Sequence, residues 1–305
     1  MWINRRWIFF KIVIGSNTSD ILPLSAKKIG VMQGRLLPKY KGRYQAHPIG
    51  YWEDEFEIAA SLGLDLIEFI LDYNDYEDNP LMSVSGCKEI EEISNQSGVH
   101  VKTVCADYFM DAPLHSDDLN LATLSAAVLR QLILNSQNIG ITDIIIPLVD
   151  QSSLATLESQ DRFINAITPF LIDLEEQNIN LNLETDLGPS EFKHLLAQID
   201  SKRVTVNYDT GNSAGMGYDP EQEFAAYGDR ITDIHIKDRV KDGFSVCLGQ
   251  GSANFSKIFK CVQNYGYTGP FIMQAFRDDE GLEIFKTQLT WLRSLINSID
   301  EKNGV

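Results

Sequence analysis

Three stretches of this chain, INLNLETD (179 to 186), RVTVNYDTGN (203 to 212) and ITDIHIKDR (231 to 239), place Glu184, Asp209 and His235 at equivalent points. In each stretch one parity is apolar: Leu181 and Leu183; Val204, Val206 and Tyr208; Ile234 and Ile236. The other parity carries Asn182 and Glu184; Thr205, Asn207 and Asp209; Asp233, His235 and Lys237. A period of two belongs to an extended strand, so each polar set shares one face. A polar group buried without a partner costs roughly 2 to 7 kcal/mol. Two carboxylates and an imidazole gathered in this way therefore ask for a ligand, and a divalent metal is the one their chemistry suggests. Hard oxygen donors with a single imidazole suit Mn²⁺, Mg²⁺ or Co²⁺, with Zn²⁺ as the alternative.

The elements that must position these residues are legible as an alternation. From Ile29 onward, short strand-like runs, IGVMQ (29 to 33), DLIEFI (65 to 70), VHVKTVC (99 to 105) and DIIIPLV (143 to 149), precede the three polar-tipped strands, and FIMQAF (271 to 276) follows them. Amphipathic stretches such as LNLATLSAAVLRQLILNSQNIG and EIFKTQLTWLRSLINSI lie between and after them, several ending in Gly or Asn as helix C-caps do. Eight strand–helix units predict an α/β fold with a parallel sheet closed into a single (β/α)8 barrel, with a doubly wound open sheet as the competitor. The barrel is expected over residues 29 to 300. Residues 1 to 28 read as a short N-terminal extension outside it: Arg5, Arg6 and the apolar stretch suggest a signal peptide, but Lys11 interrupts the stretch and no small-residue cleavage site follows.

In such barrels the reactive groups sit at the C-terminal ends of the strands. Glu184, Asp209 and His235 all occupy that position, and Gln274 matches them on the eighth strand. Gln33 and Arg35 share parity at the end of the first strand and are candidates to reach the barrel mouth. Glu68 and Asp107 end the second and third strands and are candidates to bind substrate hydroxyls, with ion pairing to Arg35 or Lys237 as the bland alternative. His47, His100, His115 and His194 read as solvated or capping residues, and Cys105 as a small core residue.

Bulk properties exclude several functions. The net charge of −17 repels phosphate backbones, so nucleic acid is not an expected partner. No window approaches the roughly 18 to 20 apolar residues of a membrane span. Four widely spaced cysteines with no CxxC pair indicate neither a disulfide framework nor a thiolate zinc site, and a reducing cytoplasm is the expected location.

Taken in order, VMQGRLLP, VCADYFM, LETDLGP, VNYDTGNSAGMGYDP, HIKDR and GYTGPFIMQAFR resemble the xylose-isomerase-like TIM-barrel superfamily, and within it the sugar phosphate isomerase/epimerase group. The resemblance spans roughly residues 29 to 297. It implies a divalent metal held by Glu, Asp, His and a second Glu from strands five to eight, of which the first three match Glu184, Asp209 and His235. The fourth position holds Gln274, which keeps an oxygen but cannot take a proton. Asn212 stands where related ketose epimerases carry a substrate-contacting histidine. CLGQGSANF resembles the family's Gly-x-Gly loop, so Gly249 and Gly251, with Arg239 and Arg277, are candidates to bind a phosphate.

The resulting expectation is an enzyme that isomerises, or epimerises, a small-molecule sugar or sugar phosphate through an enediolate. Glu184 is the expected base, with Lys237 or Asp107 as proton donor, and the loss of a second carboxylate favours one-base isomerisation. A lyase resembling the inosose dehydratases and a non-catalytic sugar-binding barrel are the alternatives. Beyond the sugar, the expected partners are at most further copies of the chain in a homo-oligomer.

Overall fold

The computed structural model describes residues 23 to 279 and 281 to 304. Eight parallel strands close into a barrel: β1 (Ile29–Met32), β2 (Leu66–Ile70), β3 (Thr103–Cys105), β4 (Asp143–Leu148), β5 (Asn180–Thr185), β6 (Val204–Asp209), β7 (Ile231–Ile236) and β8 (Phe271–Met273), with β1 pairing both β2 and β8. The expected (β/α)8 barrel is therefore the observed fold, and the open sheet is excluded by the β1–β8 pairing.

Helices connect the strands and are delimited by local chemistry. Ser83 caps the helix Val84–Ser97 by accepting from the Gly86 N–H, and Gly98 ends it at φ +76°. Asp118 caps Leu119–Ile139 in the same way, and Gly140 ends it at φ +68°. Both glycines adopt the left-handed conformation that a side chain resists, which turns the chain at once toward the next strand. The stretch 162 to 178 is broken into two helices, Leu157–Ile167 and Leu171–Gln177, by a 3-10 turn carrying Pro169. Among the described residues, no helix is long and apolar enough to cross a membrane.

Two apolar clusters follow from strand parity. Val31, Ile67, Phe69, Val104, Ile144, Ile146, Leu181, Leu183, Val206, Ile234 and Ile236 face outward and pack under the helices. Inside the barrel, Met32, Leu66, Ile70, Cys105, Ile145 and Ile272 form a separate small cluster. The interior is thus mainly apolar along β8 and β1 to β4, where Glu68 and Asp143 are the charged exceptions, and polar along β5 to β7, where Asn182, Glu184, Thr205, Asn207, Asp209, Asp233 and His235 are all buried.

A β-bulge in β7 fixes the phase of this polar arc. Val206 pairs with Ile231 but the next residue, Asn207, pairs with Asp233, so Thr232 is one residue extra. Its hydroxyl lies 2.8 Å from Asp143 Oδ1 and 2.8 Å from Asn182 Oδ1, at the floor of the barrel. Above the bulge, Asp209 and His235 are direct neighbours.

The expected N-terminal boundary moves by a few residues. Leu24 is fully buried, and the Leu24 and Ser25 amides donate to Asp300 of the closing helix Leu282–Asn303 at 2.9 and 2.8 Å. Residues 24 to 28 therefore belong to the barrel. The remainder of the expected extension, 1 to 22, lies outside the described residues.

Candidate active site

Glu184, Asp209 and His235 each offer one ligand atom, and these three atoms lie within 4.8 Å of one another. All three residues are buried. Their orientation is set by donors on the same two strands and the turn after β6. Asn207, one pleat below Asp209, donates from Nδ2 to Glu184 Oε2 at 3.1 Å and stands 3.0 Å from His235 Nδ1. Asn212 donates from Nδ2 to Glu184 Oε1 at 2.6 Å. Asp209 caps the short helix Thr210–Met216, its Oδ1 accepting from the Gly211 and Asn212 amides at 2.8 Å, while Oδ2 faces Lys237 Nζ at 3.3 Å. Every oxygen of the two carboxylates is thereby held by a donor and keeps lone pairs free for a cation.

The tautomer of His235 follows from the same contacts. The Asn207 amide nitrogen must face the Glu184 carboxylate, because its oxygen there would be repelled. The same nitrogen can only donate to the ring, so Nδ1 is the unprotonated nitrogen and accepts from Asn207. Nε2 carries the hydrogen and donates to Glu68 Oε1 at 2.7 Å. A carboxylate behind a histidine, with the far nitrogen unprotonated, is the arrangement that orients and strengthens a metal-binding imidazole, and a metal at Nδ1 would displace the Asn207 contact. Burial opposes a positive charge on this ring, but Glu68, and then Glu184, outweigh it and raise the pKa to about 10. The local field calls for a cation, and a proton and a metal compete for Nδ1.

Burial, and then the neighbouring Asp209, push the Glu184 carboxyl up to about 7. A carboxylate poised there can take a proton near neutral pH. Gln274 is buried at the mouth, its Nε2 donating to Gln45 Oε1 at 3.1 Å, while its Oε1 has no hydrogen-bond partner. Two carboxylates and an unprotonated imidazole nitrogen, with a buried amide oxygen as a further candidate, are donors of the kind that suits a divalent metal such as Mg²⁺, Mn²⁺ or Co²⁺.

The remaining expected residues divide into two groups. Asn212 Oδ1 gathers Lys237 Nζ at 3.3 Å and Arg239 Nη1 at 3.1 Å, which ties both cations to Glu184 through one amide. Gln45, a residue without a sequence signal, accepts from Arg35 Nη2 at 2.9 Å and donates to Asp107 Oδ2 at 3.0 Å, so it joins Arg35, Asp107 and Gln274. Burial raises the Asp107 carboxyl, which also accepts from Cys105 Sγ at 3.2 Å.

Several expectations are corrected. Glu68 is fully buried and bonded to His235, so it orients a ring rather than meeting sugar hydroxyls, and its pairing is with neither Arg35 nor Lys237. Arg35 is buried, its Nε donating to the Ala275 carbonyl at 3.1 Å and its guanidinium lying over the Tyr44 ring, so it braces the mouth. Gln33 accepts from the Ile70 amide at 3.0 Å and faces His47 Nδ1 at 3.1 Å, beneath the mouth. The Gly249 and Gly251 amides are committed to Asp238 Oδ2 at 2.9 and 2.8 Å, so the loop's anion is the chain's own carboxylate rather than a phosphate. Arg277 is buried and donates to the Gly34 and Leu37 carbonyls, and Arg239 also donates to the Gly243 carbonyl at 3.0 Å. His47 and His115 are buried, not solvated, and burial lowers their pKa values to about 3 and about 4.

Residues that the sequence reading gave no role include Asn207, Gln45 and Glu55. Asn207 had the right parity and no further signal. Glu55 is buried at the start of the helix Asp54–Ser61, and its Oε1 accepts from the Gly34 and Leu36 amides at 3.0 Å, pinning the turn after β1. A groove of about 610 Å³ lies against the segment after β5 and is lined by Ser153, Gln160, Asp186, Ser190, Glu191 and His194, with Leu157, Leu187 and Met216 as apolar walls; Glu184, Asp209 and His235 are not among its lining residues. No lysine or arginine lines it.

Comparison with known proteins agrees with this geometry. L-ribulose-5-phosphate 3-epimerase UlaE of Escherichia coli (strain K12) is 22% identical over 262 residues, a match covering 80% of this chain and 89% of that protein. A D-tagatose 3-epimerase-like protein superposes with a TM-score of 0.70 at 17% identity, over 90% of this chain and 99% of that one. A xylose isomerase-like TIM barrel protein from Mycobacterium smegmatis, solved in complex with magnesium, gives 0.67 at 17% identity, over 90% of this chain and 97% of that one. The family model described as xylose isomerase-like TIM barrel matches residues 56 to 295, and the chain belongs to that family.

Proposed function

We propose that this chain is a divalent-metal-dependent sugar isomerase or epimerase that works through an enediolate. The observation that carries the reading is the convergence of Glu184, Asp209 and His235 Nδ1, each aimed by its own donors, beside a carboxyl held near neutrality. Glu184, Asp209, His235 and Gln274 would hold the metal. When bound, the metal polarises a sugar carbonyl and acidifies the adjacent C–H.

Glu184 is the base that takes this proton. Asn207 and Asn212 keep its carboxylate in one orientation, which fixes the direction of proton transfer. Asp107, kept protonated more readily by burial, and Lys237 are the groups placed to return a proton. Return by Glu184 to the neighbouring carbon is isomerisation; return by Asp107 to the same carbon from the other side is epimerisation. Gln274 does not exclude the second outcome, because Asp107 supplies an acid that does not depend on the fourth metal ligand. The relatives UlaE and the tagatose-epimerase-like protein are named for 3-epimerisation, which supports it.

The substrate is an unphosphorylated sugar in this reading. Arg35, Arg239, Arg277 and the Gly249 and Gly251 amides are engaged within the chain, which argues against a phosphate held by them. With Cys87, Cys105, Cys247 and Cys261 all free, we place the protein in the cytoplasm.

The test is a screen of free ketoses and ketose phosphates with the Mn²⁺-loaded protein in D₂O, following deuterium incorporation by NMR. Label at the inverted carbon of a free ketose identifies an epimerase, and label at the adjacent carbon an isomerase. Exchange confined to phosphorylated sugars refutes the neutral-substrate reading, and loss of water from the product would indicate a lyase instead.

A further inference from the structure

Gln274 meets the site as an amide, and an amide has a single oxygen. Which end faces the site depends on what holds the other end. That partner is Gln45, in the loop between β1 and the helix Asp54–Ser61, and its own orientation is determined. Arg35 Nη2 can only donate, and it stands 2.9 Å from Gln45 Oε1. Asp107 Oδ2 takes Gln45 Nε2 at 3.0 Å on the other side. Turning the Gln45 amide over would set its nitrogen against a guanidinium. Its oxygen therefore faces Gln274 at 3.1 Å and accepts the Nε2 of that residue. The Gln274 Oε1 is then the end left free, and it is buried with no partner. Strand register brings it near: Ile272 pairs with His235 and Met273 with Ile236, and Gln274 follows directly at the end of β8, where its own amide turns back to the Ile272 carbonyl at 3.0 Å.

We propose that Gln45 is a positioning residue which, braced by Arg35 and Asp107, keeps the amide oxygen of Gln274 turned toward the metal. The inference rests on the metal reading above. It accounts for how a glutamine serves at a position where a carboxylate needs no such help: the two oxygens of a carboxylate are equivalent, whereas an amide must be held one way round.

The test is a Mn²⁺ titration of the purified full chain, with free Mn²⁺ read by EPR, in two backgrounds. Gln45→Met is expected to weaken Mn²⁺ binding about tenfold, in the range typical of residues that orient ligands. In a Gln274→Glu background the same Gln45→Met change should move the affinity by less than about twofold, because no amide remains to be oriented. Gln45→Glu keeps an acceptor toward Arg35 and Gln274 and meets Asp107 as a second carboxyl, with the proton that burial favours on Asp107 bridging the contact, so affinity should stay within about twofold. Melting curves without metal establish that each variant is folded. Equal losses in both backgrounds, or no loss in the native background, overturn the assignment of Gln45; if Gln45→Met does not fold, loss of affinity in a folded Gln45→Glu protein does the same. A native chain that binds no Mn²⁺ overturns the metal reading itself.

Discussion

Two sets of acidic groups surround His235, one above the ring and one below, and both bring three candidate ligands within 4.8 Å. Above, Glu184 and Asp209 receive hydrogen bonds from Asn207, Asn212, Gly211 and Lys237, so that every carboxylate oxygen has a donor. Below, Glu68 makes one bond, to Nε2, and its second oxygen and both oxygens of Asp233 have none. The upper set opens toward the barrel mouth, while Glu68 and Asp233 are fully buried. Burial, and then the nearby Glu68, push Asp233 well above the usual carboxylate range, which favours its neutral form. Proximity of acids is therefore not what makes a cation site. Donors that fix the direction of each lone pair do, and the lower set, lacking them, serves the upper one by holding the ring.

The largest expected effect separates the sets by chemistry. Glu184→Gln removes the base and should cost about a thousandfold in turnover, within the range for a general base, with solvent deuterium exchange lost and sugar binding by calorimetry retained. Full activity in this variant would remove Glu184 from the mechanism. A smaller effect is expected where the sets meet. Glu68→Gln keeps an oxygen for Nε2–H but removes the charge behind the ring, and Mn²⁺ affinity should fall about tenfold or more. An unchanged affinity would mean that the lower set contributes nothing to the upper.

The smallest effect on the site is predicted for Asp233→Asn, less than about twofold in Mn²⁺ affinity, because a protonated carboxyl and an amide carry the same charge. Its signature lies in stability against pH. The pKa of Asp233 is higher in the folded than in the unfolded state, so its contribution is most favourable below the unfolded value near 3.8 and is lost as pH rises toward the folded value. The variant should flatten that loss, at most about 1.4 kcal/mol per pH unit, and melt higher than the native chain at pH 7. Equal melting profiles from pH 4.5 to 8 would show that Asp233 is ionised or paired after all.

What the sequence made legible was whatever obeys a period. Parity alone placed Asn182, Glu184, Asn207, Asp209 and His235 inside, and the alternation of runs placed the eight strands that carry them. Glu68 stood out at the end of the second strand, but the sequence could not say whether it faced substrate or a ring across the barrel, since its partner is 167 residues away. Loops carry no period. Gln45 and His47 lie in the aperiodic segment after β1, which folds back into the mouth and buries His47 against Trp52 and Phe69. The glycines of CLGQGSANF, expected to bind a phosphate, bring their amides to an anion of the chain itself. The anion is Asp238, ten residues before Leu248, and nothing local in the sequence distinguishes a carboxylate of the chain from one of a ligand.

The extra residue in β7 gives the barrel a kind of modularity. Because Thr232 absorbs a change of register below Asp233, the floor and the mouth of the strand are not locked to one alternation. Substitutions among Asp143, Asn182, Thr205 and Thr232 can re-pack the floor while the pairing of Asp209 with His235 holds the ligands in place above. A lineage of such barrels is thus free to drift at its base, and to be stabilised there by design, without renegotiating the geometry on which its chemistry depends.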